Sequence, residues 1–404
     1  MPVERVYLIS LGETPALPEV MIFLRVLRLV CGEYFFWGGN MKITRVEAIP
    51  FKIPYKTPLK WGLAGYLEAA EHVLVRVHTD AGVVGAAEAT PRPTIYGESQ
   101  ASIVHAIRDW FTPMITGMDP CHIEKIWAKL ETIHWNPTAK GAIDLALYDA
   151  VAKSYEVPLW EMLGGFSDRL PMSWMLGMRS IPEMVQEAQD MSARGFKAFK
   201  VKVGIEPEKD LQVMKALRES LGRDVLIYAD ANMAYSVSTA IRTIKKMEEY
   251  GLAFVEEPVP AWDWKGRLKV ARAISIPILG DESVFTPQDV AREIDLGAIG
   301  LISIKTPRTG YTLSLKIVHL AELAGIPCLM GTQAETGVGT LASAHFGAAR
   351  RNVSYPSEIS FFLSLKDDLL AEPIALKDGF IQLPNRPGNG AVLDEDKIKR
   401  YRMD

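Results

Sequence analysis

Two lysines separated by one residue have the clearest potential for chemistry in this sequence. Lys200 and Lys202 alternate with Phe199, Val201 and Val203. Because successive side chains of a strand point to opposite faces, the pattern predicts a strand with both lysines on one face. Two ammonium groups ~7 Å apart on a buried strand need anions or a metal-carboxylate cluster opposite them. Crowding and desolvation would then lower the lysine pKa towards neutrality, which suits proton transfer. The alternative is a half-exposed strand with two solvated lysines.

Polar residues end the apolar runs downstream of this pair at regular intervals. These residues are Asp230 with Asn232, Glu256 with Glu257, Asp281 with Glu282, and Lys305. The steps from Lys202 through the first residue of each group are 28, 26, 25 and 24 residues. Helical patterns fill the intervals at 209–220, 236–250 and 287–296. A strand, a helix and two short loops need about that many residues, so the pattern predicts a βα repeat.

A regular βα repeat of this length in one domain favours an α/β fold with a closed (β/α) barrel. Functional residues of such barrels lie at the carboxyl ends of the strands, around one mouth. Carboxylates from three successive strands would form an all-oxygen site for a hard cation such as Mg²⁺, with lysines on both flanks. Strand-end acids that only cap helices or face solvent are the alternative, which leaves the flanking lysines unexplained.

Composition and charge limit the function classes. The chain has 404 residues and 48% apolar content, enough for one barrel and one smaller domain. A net charge of −4 without a long basic run argues against a nucleic-acid partner. The three cysteines lack metal or disulfide spacing, which predicts reduced thiols and a cytoplasmic location. The apolar run at 21–30 is too short and too charged to span a membrane, so residues 1–40 are predicted to be a non-catalytic extension.

Residues 41–165 have a different pattern, with alternating runs at 43–51, 72–78 and 83–89 followed by helical stretches. We predict an α+β capping domain over 41–165, the barrel over 166–368, and a separate C-terminal segment at 369–404. The segment 57–67 contains Pro58 and two glycines, which allow tight turns. Its Trp61 and Tyr66 could cover a ligand or pack within the capping domain.

Five motifs in order resemble the enolase superfamily, in its muconate lactonizing enzyme subgroup. They are Lys-x-Lys at 200–202, Asp-Ala-Asn at 230–232, Val-Glu-Glu-Pro at 255–258, Asp-Glu-Ser at 281–283 and Ile-Lys at 304–305. The resemblance runs from about Met41 to the C terminus. It implies an enolase-type, modified TIM barrel under an N-terminal α+β capping domain that the C-terminal segment completes. It also implies a homo-oligomer.

The resemblance implies roles for individual residues that the pattern alone leaves open. The residues that would bind Mg²⁺, which Mn²⁺ could replace, are Asp230, Glu256 and Asp281. Asn232 and Glu282 would support these ligands without binding the metal. Lys202 would be the acid/base lysine, Lys200 its electrostatic partner and Lys305 the lysine on the opposite face of the substrate.

A further cluster follows the apolar run at 326–329. Its Glu335 matches the acidic position that is a catalytic partner in muconate cycloisomerases; the alternative is that Glu335 caps the helix beginning near Gly339. Gln333 stands where an apolar residue is more usual in the family, and it is a candidate substrate contact together with Trp61 and Tyr66. No histidine occurs in this cluster, which disfavours the mandelate racemase subgroup.

The chemistry that the resemblance implies is proton transfer α to a carboxylate, through an enediolate stabilised by the metal. The leading hypothesis is a Mg²⁺-dependent muconate cycloisomerase of aromatic catabolism, which lactonizes cis,cis-muconate or an analogue while Lys202 protonates the enediolate. Racemization or epimerization of N-acylamino acids, dipeptides or proline derivatives is the alternative, followed by dehydration of a hydroxy acid. The partner is in each case a small carboxylate, with no membrane partner.

Two hypotheses come from other classes. A Schiff-base aldolase could use Lys202 or Lys305, but it needs no metal and leaves three converging carboxylates unexplained. A non-catalytic metal-binding or interaction protein has no reason to carry lysines on both sides of the metal.

Overall fold

The computed structural model describes residues 41–61 and 65–404, without the side chains of residues 59–61 and 65. The predicted extension at 1–40 and the side chain of Trp61 therefore lie outside the described residues. The strands are β1 (Ile43–Trp61), β2 (Gly65–Thr79), β3 (Val84–Ala89), β4 (Arg169–Pro171), β5 (Trp174–Leu176), β6 (Ala198–Lys202), β7 (Leu226–Asp230), β8 (Leu252–Glu256), β9 (Ile278–Gly280), β10 (Leu301–Ile304), β11 (Cys328–Met330), β12 (Leu376–Lys377) and β13 (Phe380–Gln382).

Helices alternate with most of the later strands. They are α1 (Pro93–Tyr96), α2 (Gln100–His105), α3 (Thr112–Ile115), α4 (Ile123–Leu130), α5 (Pro137–Ser154), α6 (Leu159–Met162), α7 (Ile181–Ala193), α8 (Pro207–Leu221), α9 (Val237–Glu248), α10 (Trp264–Ala273), α11 (Pro287–Leu296), α12 (Thr306–Leu323), α13 (Gly337–Ala349) and α14 (Glu395–Tyr401). A π-helical stretch at Ala106–Phe111 and a 3₁₀ helix at Phe361–Ser364 complete them. Within the described ranges, no helix combines the length and the apolar character that crossing a bilayer requires.

Strands β1, β2 and β3 form an antiparallel sheet in that order. The alternation along β2 buries residues on both of its faces. Val75 belongs to the main core beside helix α5, whereas Leu74 belongs to a second cluster that includes Leu369 and Ile398 of the C-terminal region. Phe51 of β1 also forms a bridge to Arg402. The C-terminal residues thus pack on the antiparallel sheet, as the resemblance implied.

Strands β5 to β11 form a parallel sheet in which every strand neighbours the next one in the chain. The segment 353–357 closes this sheet into a barrel. It forms parallel bridges from Val353 to Cys328 of β11 and from Ser357 to Met172, just before β5. The predicted barrel is therefore confirmed, with an eighth position that a short polar segment fills in place of a regular strand.

The register of the parallel strands brings the polar strand ends together. Lys202 pairs with Asp230, and Asp230 pairs with Glu256 on the next strand. The turns directly after two of these strands are strained, because Asn232 and Glu257 have φ of 41° and 36°. Such left-handed conformations are costly for residues other than glycine and concentrate at functional sites. This end of the barrel is the candidate active site.

Candidate active site

The two lysines of β6 lie on one face, as their spacing predicts, and both contact carboxylates. The Nζ of Lys200 lies 2.9 Å from Asp230 Oδ2, 2.8 Å from Glu256 Oε2 and 3.0 Å from Glu358 Oε2. The Nζ of Lys202 donates to Asp230 Oδ2 at 2.6 Å and to Asn232 Oδ1 at 2.8 Å. Lys200 is 3% exposed, so the interpretation of a half-exposed strand with solvated lysines is wrong.

Lys305 lies on the opposite flank of the carboxylates. Its ammonium donates to Asp281 Oδ2, and Arg308 Nη1 donates to the other oxygen of that carboxylate at 2.8 Å. Gly331 at the end of β11 makes room for the lysine, because a Cβ there would lie 2.7 Å from Lys305 Cε. The absence of a side chain at position 331 thus places the ammonium against Asp281.

The second acid of each Glu-Glu and Asp-Glu pair has a different environment. Glu257 Oε1 accepts hydrogen bonds from the backbone N–H of Asp281 at 2.7 Å and from the hydroxyl of Ser283 at 2.6 Å. Glu257 therefore holds the turn after β9 in place. Glu282 lines the cavity between the lysines, and burial together with the charge of Asp281 raises its pKa to about 8.

The charges of the site shift the lysine pKa values in the direction opposite to our expectation. Burial lowers the pKa of Lys200, but the carboxylates of Asp230, Glu256 and Glu358 together raise it well above its ordinary value. Asp281 likewise raises the pKa of Lys305 against the effect of burial. The expected shift towards neutrality is therefore wrong for these two lysines. The sequence predicted desolvation, crowding and anions opposite the lysines, but not that carboxylates in direct contact would outweigh the desolvation.

The strand-end carboxylates suit a bound cation, because the lysines alone do not fully compensate the charge of Glu256. Burial and the neighbouring Asp230 raise the pKa of Glu256 well above its usual range, and its Oε1 has no hydrogen-bond partner among residues 41–61 and 65–404. Lys200 bridges Asp230 and Glu256, and no group of three or more His, Cys, Asp or Glu side chains in these ranges is arranged as a ready metal site. The donor set is nevertheless all oxygen and buried, and it includes the unpartnered Oε1 of Glu256, which suits a hard divalent cation.

A cavity of about 70 Å³ lies between these groups. Its wall includes Lys200, Lys202, Asp230, Asp281, Lys305 and Gln333. Polar groups therefore surround a space that lysines flank on two sides. This arrangement can bind a carboxylate and move a proton to or from the carbon beside it.

Comparison with known proteins assigns this architecture to a family. Residues 183–397 match the model of the enolase C-terminal domain-like family, and residues 44–164 match the N-terminal domain of the mandelate racemase / muconate lactonizing enzyme family. The chain belongs to the muconate lactonizing enzyme subgroup of the enolase superfamily.

Individual relatives in this superfamily carry different activities. The structure of muconate lactonizing enzyme from Mycobacterium smegmatis complexed with muconolactone is 42% identical, covers 90% of this chain and 100% of its own, and has a TM-score of 0.87. L-Ala-D/L-Glu epimerase of Bacillus subtilis is 35% identical over 87% of this chain and 97% of its own length. Muconate cycloisomerase 1 of Rhodococcus opacus is 31% identical over 90% and 99%. The family is thus established, whereas the reaction differs between its members.

The loop after β11 connects the mouth of the barrel to the capping domain. Glu335 does not cap α13; its Oε2 accepts from the backbone N–H of Gln333 at 2.8 Å and from the Thr332 hydroxyl. Glu88 of the capping domain has that capping role, since its carboxylate accepts from the N–H groups of Thr336 at 3.0 Å and Gly339 at 2.9 Å. The loop that carries Glu335 is therefore held in part by the capping domain.

The substrate contacts that we predicted lie in two places. Gln333 lies in the wall of the cavity between the lysines, and its amide donates to the Tyr96 hydroxyl of the capping domain. Tyr66 lies in the wall of a second cavity of about 320 Å³, which shares Met175 and Phe361 with the first. Tyr66 is half exposed, and its hydroxyl donates to Glu68 Oε1 at 2.8 Å. Its contact with a substrate stays a prediction.

Sequence reasoning missed Glu358, which contacts Lys200. The segment 353–357 before it is short and polar and contains Pro356, so it has no strand pattern. The spacing of the βα repeat could have identified Glu358. Gly331 lies 26 residues after Lys305, and Glu358 lies 27 residues after Gly331. Arg308 was missed as well, since it lies within helix α12.

Proposed function

We propose that this protein is a metal-dependent cycloisomerase that lactonizes cis,cis-muconate or a close analogue. The observation that carries the proposal is the pair of lysine flanks, Lys202 on β6 and Lys305 after β10, around buried strand-end carboxylates. This arrangement suits chemistry at a carbon next to a carboxylate. The similarity to muconate lactonizing enzyme from Mycobacterium smegmatis, at 42% identity over nearly the whole described chain, supports the choice of substrate.

Asp230, Glu256 and Asp281 would hold the divalent metal. When bound, Mg²⁺ would supply positive charge for the substrate carboxylate and weaken the pull of these carboxylates on the lysine protons.

The residues of the chain then divide the reaction between them. One substrate carboxylate oxygen forms a bond to a carbon of the diene, and the displaced electron pair moves to the carbon α to the other carboxylate. Lys202 Nζ donates a proton to that α-carbon, so the dianion becomes a lactone with one remaining carboxylate. Asn232 orients Lys202 through their 2.8 Å hydrogen bond. Lys305 stabilises negative charge from the opposite flank.

The test is the loss of the conjugated-diene absorbance of cis,cis-muconate with Mg²⁺ and then with excess EDTA. Rapid loss that EDTA abolishes is the expected result. Unchanged absorbance under both conditions would refute lactonization and leave the family assignment intact.

Epimerization is the second candidate, because lysines on both faces also suit removal of a proton from one face and its return to the other. The relatives include epimerases of similar identity. Incorporation of deuterium at the α-carbon of N-acylamino acids or dipeptides, without activity on muconate, would favour this candidate. Absence of exchange across such a panel would exclude it for those substrates.

A further inference from the structure

Arg92 is a buried cation in the catalytic cavity that the reaction above does not use. It follows β3 in the capping domain, is 5% exposed, and lies in the cavity wall with Lys200, Lys202 and Lys305. The capping domain therefore contributes a guanidinium to a site whose other chemistry comes from the barrel.

The hydrogen bonds of Arg92 are incomplete. Its Nη1 donates to the carbonyl of Pro91 at 2.5 Å, whereas its Nη2 has no hydrogen-bond partner within the described ranges. No ion pair of Arg92 occurs there either, although Glu88 and Glu335 lie close enough to act on its charge. A buried guanidinium that is not paired with an anion is costly, so a structural role alone does not account for it.

The neighbouring carboxylates are already engaged by other donors. Glu88 accepts from Thr336, Gly339 and His72, and one oxygen of Glu335 accepts from the 332–333 segment. Glu335 Oε1 has no hydrogen-bond partner within the described ranges. A structural ion pair between Arg92 and Glu335 is therefore the alternative to substrate binding, and a test has to distinguish the two.

We propose that Arg92 binds a second carboxylate of the substrate, which makes the enzyme specific for dicarboxylates. The inference rests on the proposed function in taking one substrate carboxylate to lie at the strand-end acids and the other to form the lactone. The Nη2 group holds one oxygen of the other carboxylate, and the second oxygen stays available to form the lactone bond to the diene carbon. Ring closure removes the charge from this carboxylate, so the product loses the attraction to Arg92 and is released more easily.

The same residue selects against one class of substrates. A dipeptide carries a free ammonium group, which a neighbouring guanidinium repels. An N-acyl compound with a terminal carboxylate would instead satisfy Arg92. The proposal thus separates substrates by the charge at the end away from the strand-end acids.

The test is equilibrium binding of two unreactive six-carbon acids in the presence of Mg²⁺. Adipate has a second carboxylate and hexanoate does not. We expect calorimetry on the full-length protein to give a dissociation constant roughly 10- to 100-fold lower for adipate, the range for a hydrogen bond to a charged group. Equal affinities of the wild-type protein for the two acids would overturn the proposal without any variant.

Variants locate the preference. Arg92→Met should remove the preference for adipate and leave hexanoate binding unchanged, while Arg92→Lys should keep part of it. Arg179→Met is the matched control, because Arg179 lies in the wall of the second cavity with its side chain 49% exposed. Loss of the preference in Arg179→Met with its retention in Arg92→Met would overturn the assignment. Equal weakening of both acids by Arg92→Met would indicate the structural pair with Glu335 and also contradict it.

Turnover of muconate separates this inference from the proposed function. If the enzyme lactonizes muconate but Arg92→Met keeps the preference for adipate, the inference fails and the function stands. If muconate is not turned over but the preference exists and depends on Arg92, the function fails and dicarboxylate recognition stands.

Discussion

Gly331→Ala should disable the enzyme through Lys305 without changing any charged residue. Gly331 directly follows β11, and a Cβ there would lie 2.7 Å from Lys305 Cε, 3.2 Å from Lys305 Cγ and 2.2 Å from Ser303 Oγ. The serine hydroxyl can rotate, since its oxygen has no hydrogen-bond partner among the described residues. The Lys305 stem has to shift as well, which should move its ammonium relative to Asp281.

The size of the effect follows from these distances. Ordinary van der Waals contact begins at 3.4 Å, so Lys305 Cε must move by at least roughly 0.7 Å. A displacement of about 1 Å in a catalytic group can lower the rate ~100-fold. We expect kcat for cis,cis-muconate to fall between about 30- and 100-fold. The overpacking should also lower the free energy of unfolding by about 1–3 kcal/mol.

Steady-state kinetics with Gly300→Ala as the matched control test this reasoning. Gly300 precedes β10 at the end of the barrel opposite the mouth, and a Cβ there would lie 2.6 Å from Pro277 Cβ. The control should lose comparable stability in urea unfolding but keep its kcat. A Gly331→Ala enzyme with kcat within threefold of wild type, or a control that loses kcat equally, would refute the steric argument.

Four further variants test the proposed proton donor, the proposed metal site and a buried histidine. Lys202→Ala should abolish turnover while circular dichroism stays unchanged and Mg²⁺ still binds, because the proton donor is lost and the three carboxylates remain; appreciable residual turnover would contradict this role. Asp281→Asn should weaken Mg²⁺ binding in calorimetry more than Glu282→Gln does, because it changes a metal ligand whereas Glu282 only supports the ligands; the reverse order would assign the metal to Glu282. Burial lowers the pKa of His345 to about 4 from 6.5, so the unfolded chain binds the extra proton. Stability should therefore fall by about 3 kcal/mol as the pH decreases from 6.5 to 4, and His345→Gln should reduce this slope in urea unfolding. An unchanged slope would assign the acid sensitivity to other groups.

Much of the barrel was predictable because its signals are local. The alternation of Lys200 and Lys202 with apolar residues follows from the period of a strand, and the spacing from Lys202 to Lys305 follows from the length of a βα unit. These two periods are sufficient to predict that the strand ends lie around one mouth. The closing segment at 353–357 escaped prediction, because its short backbone bridges come from tertiary contacts and its side chains carry no strand pattern.

The direction of the lysine pKa shifts required the three-dimensional arrangement. The sequence predicts that Lys200 is desolvated, but only the folded distances show that Asp230, Glu256 and Glu358 all lie within about 3 Å of its ammonium. At such distances the attraction to carboxylates exceeds the desolvation penalty. The role of Glu335 was undecided for the same reason, since Glu88, 247 residues earlier in the chain, caps the helix instead.

The sequence by itself determined the fold class, the repeat, and which strand ends carry acids and lysines, because strand and helix periods are properties of neighbouring residues. The tertiary structure decided which of these groups touch, and it added Arg92, Glu88 and Tyr96 from the capping domain and Glu358 from the closing segment. The contacts of Gln333 with Tyr96 and of Thr336 with Glu88 join residues far apart in the chain, so they depend on how the capping domain packs on the loop after β11. Nothing in the local pattern around Arg92 distinguishes it from a surface arginine; its burial in the catalytic cavity does.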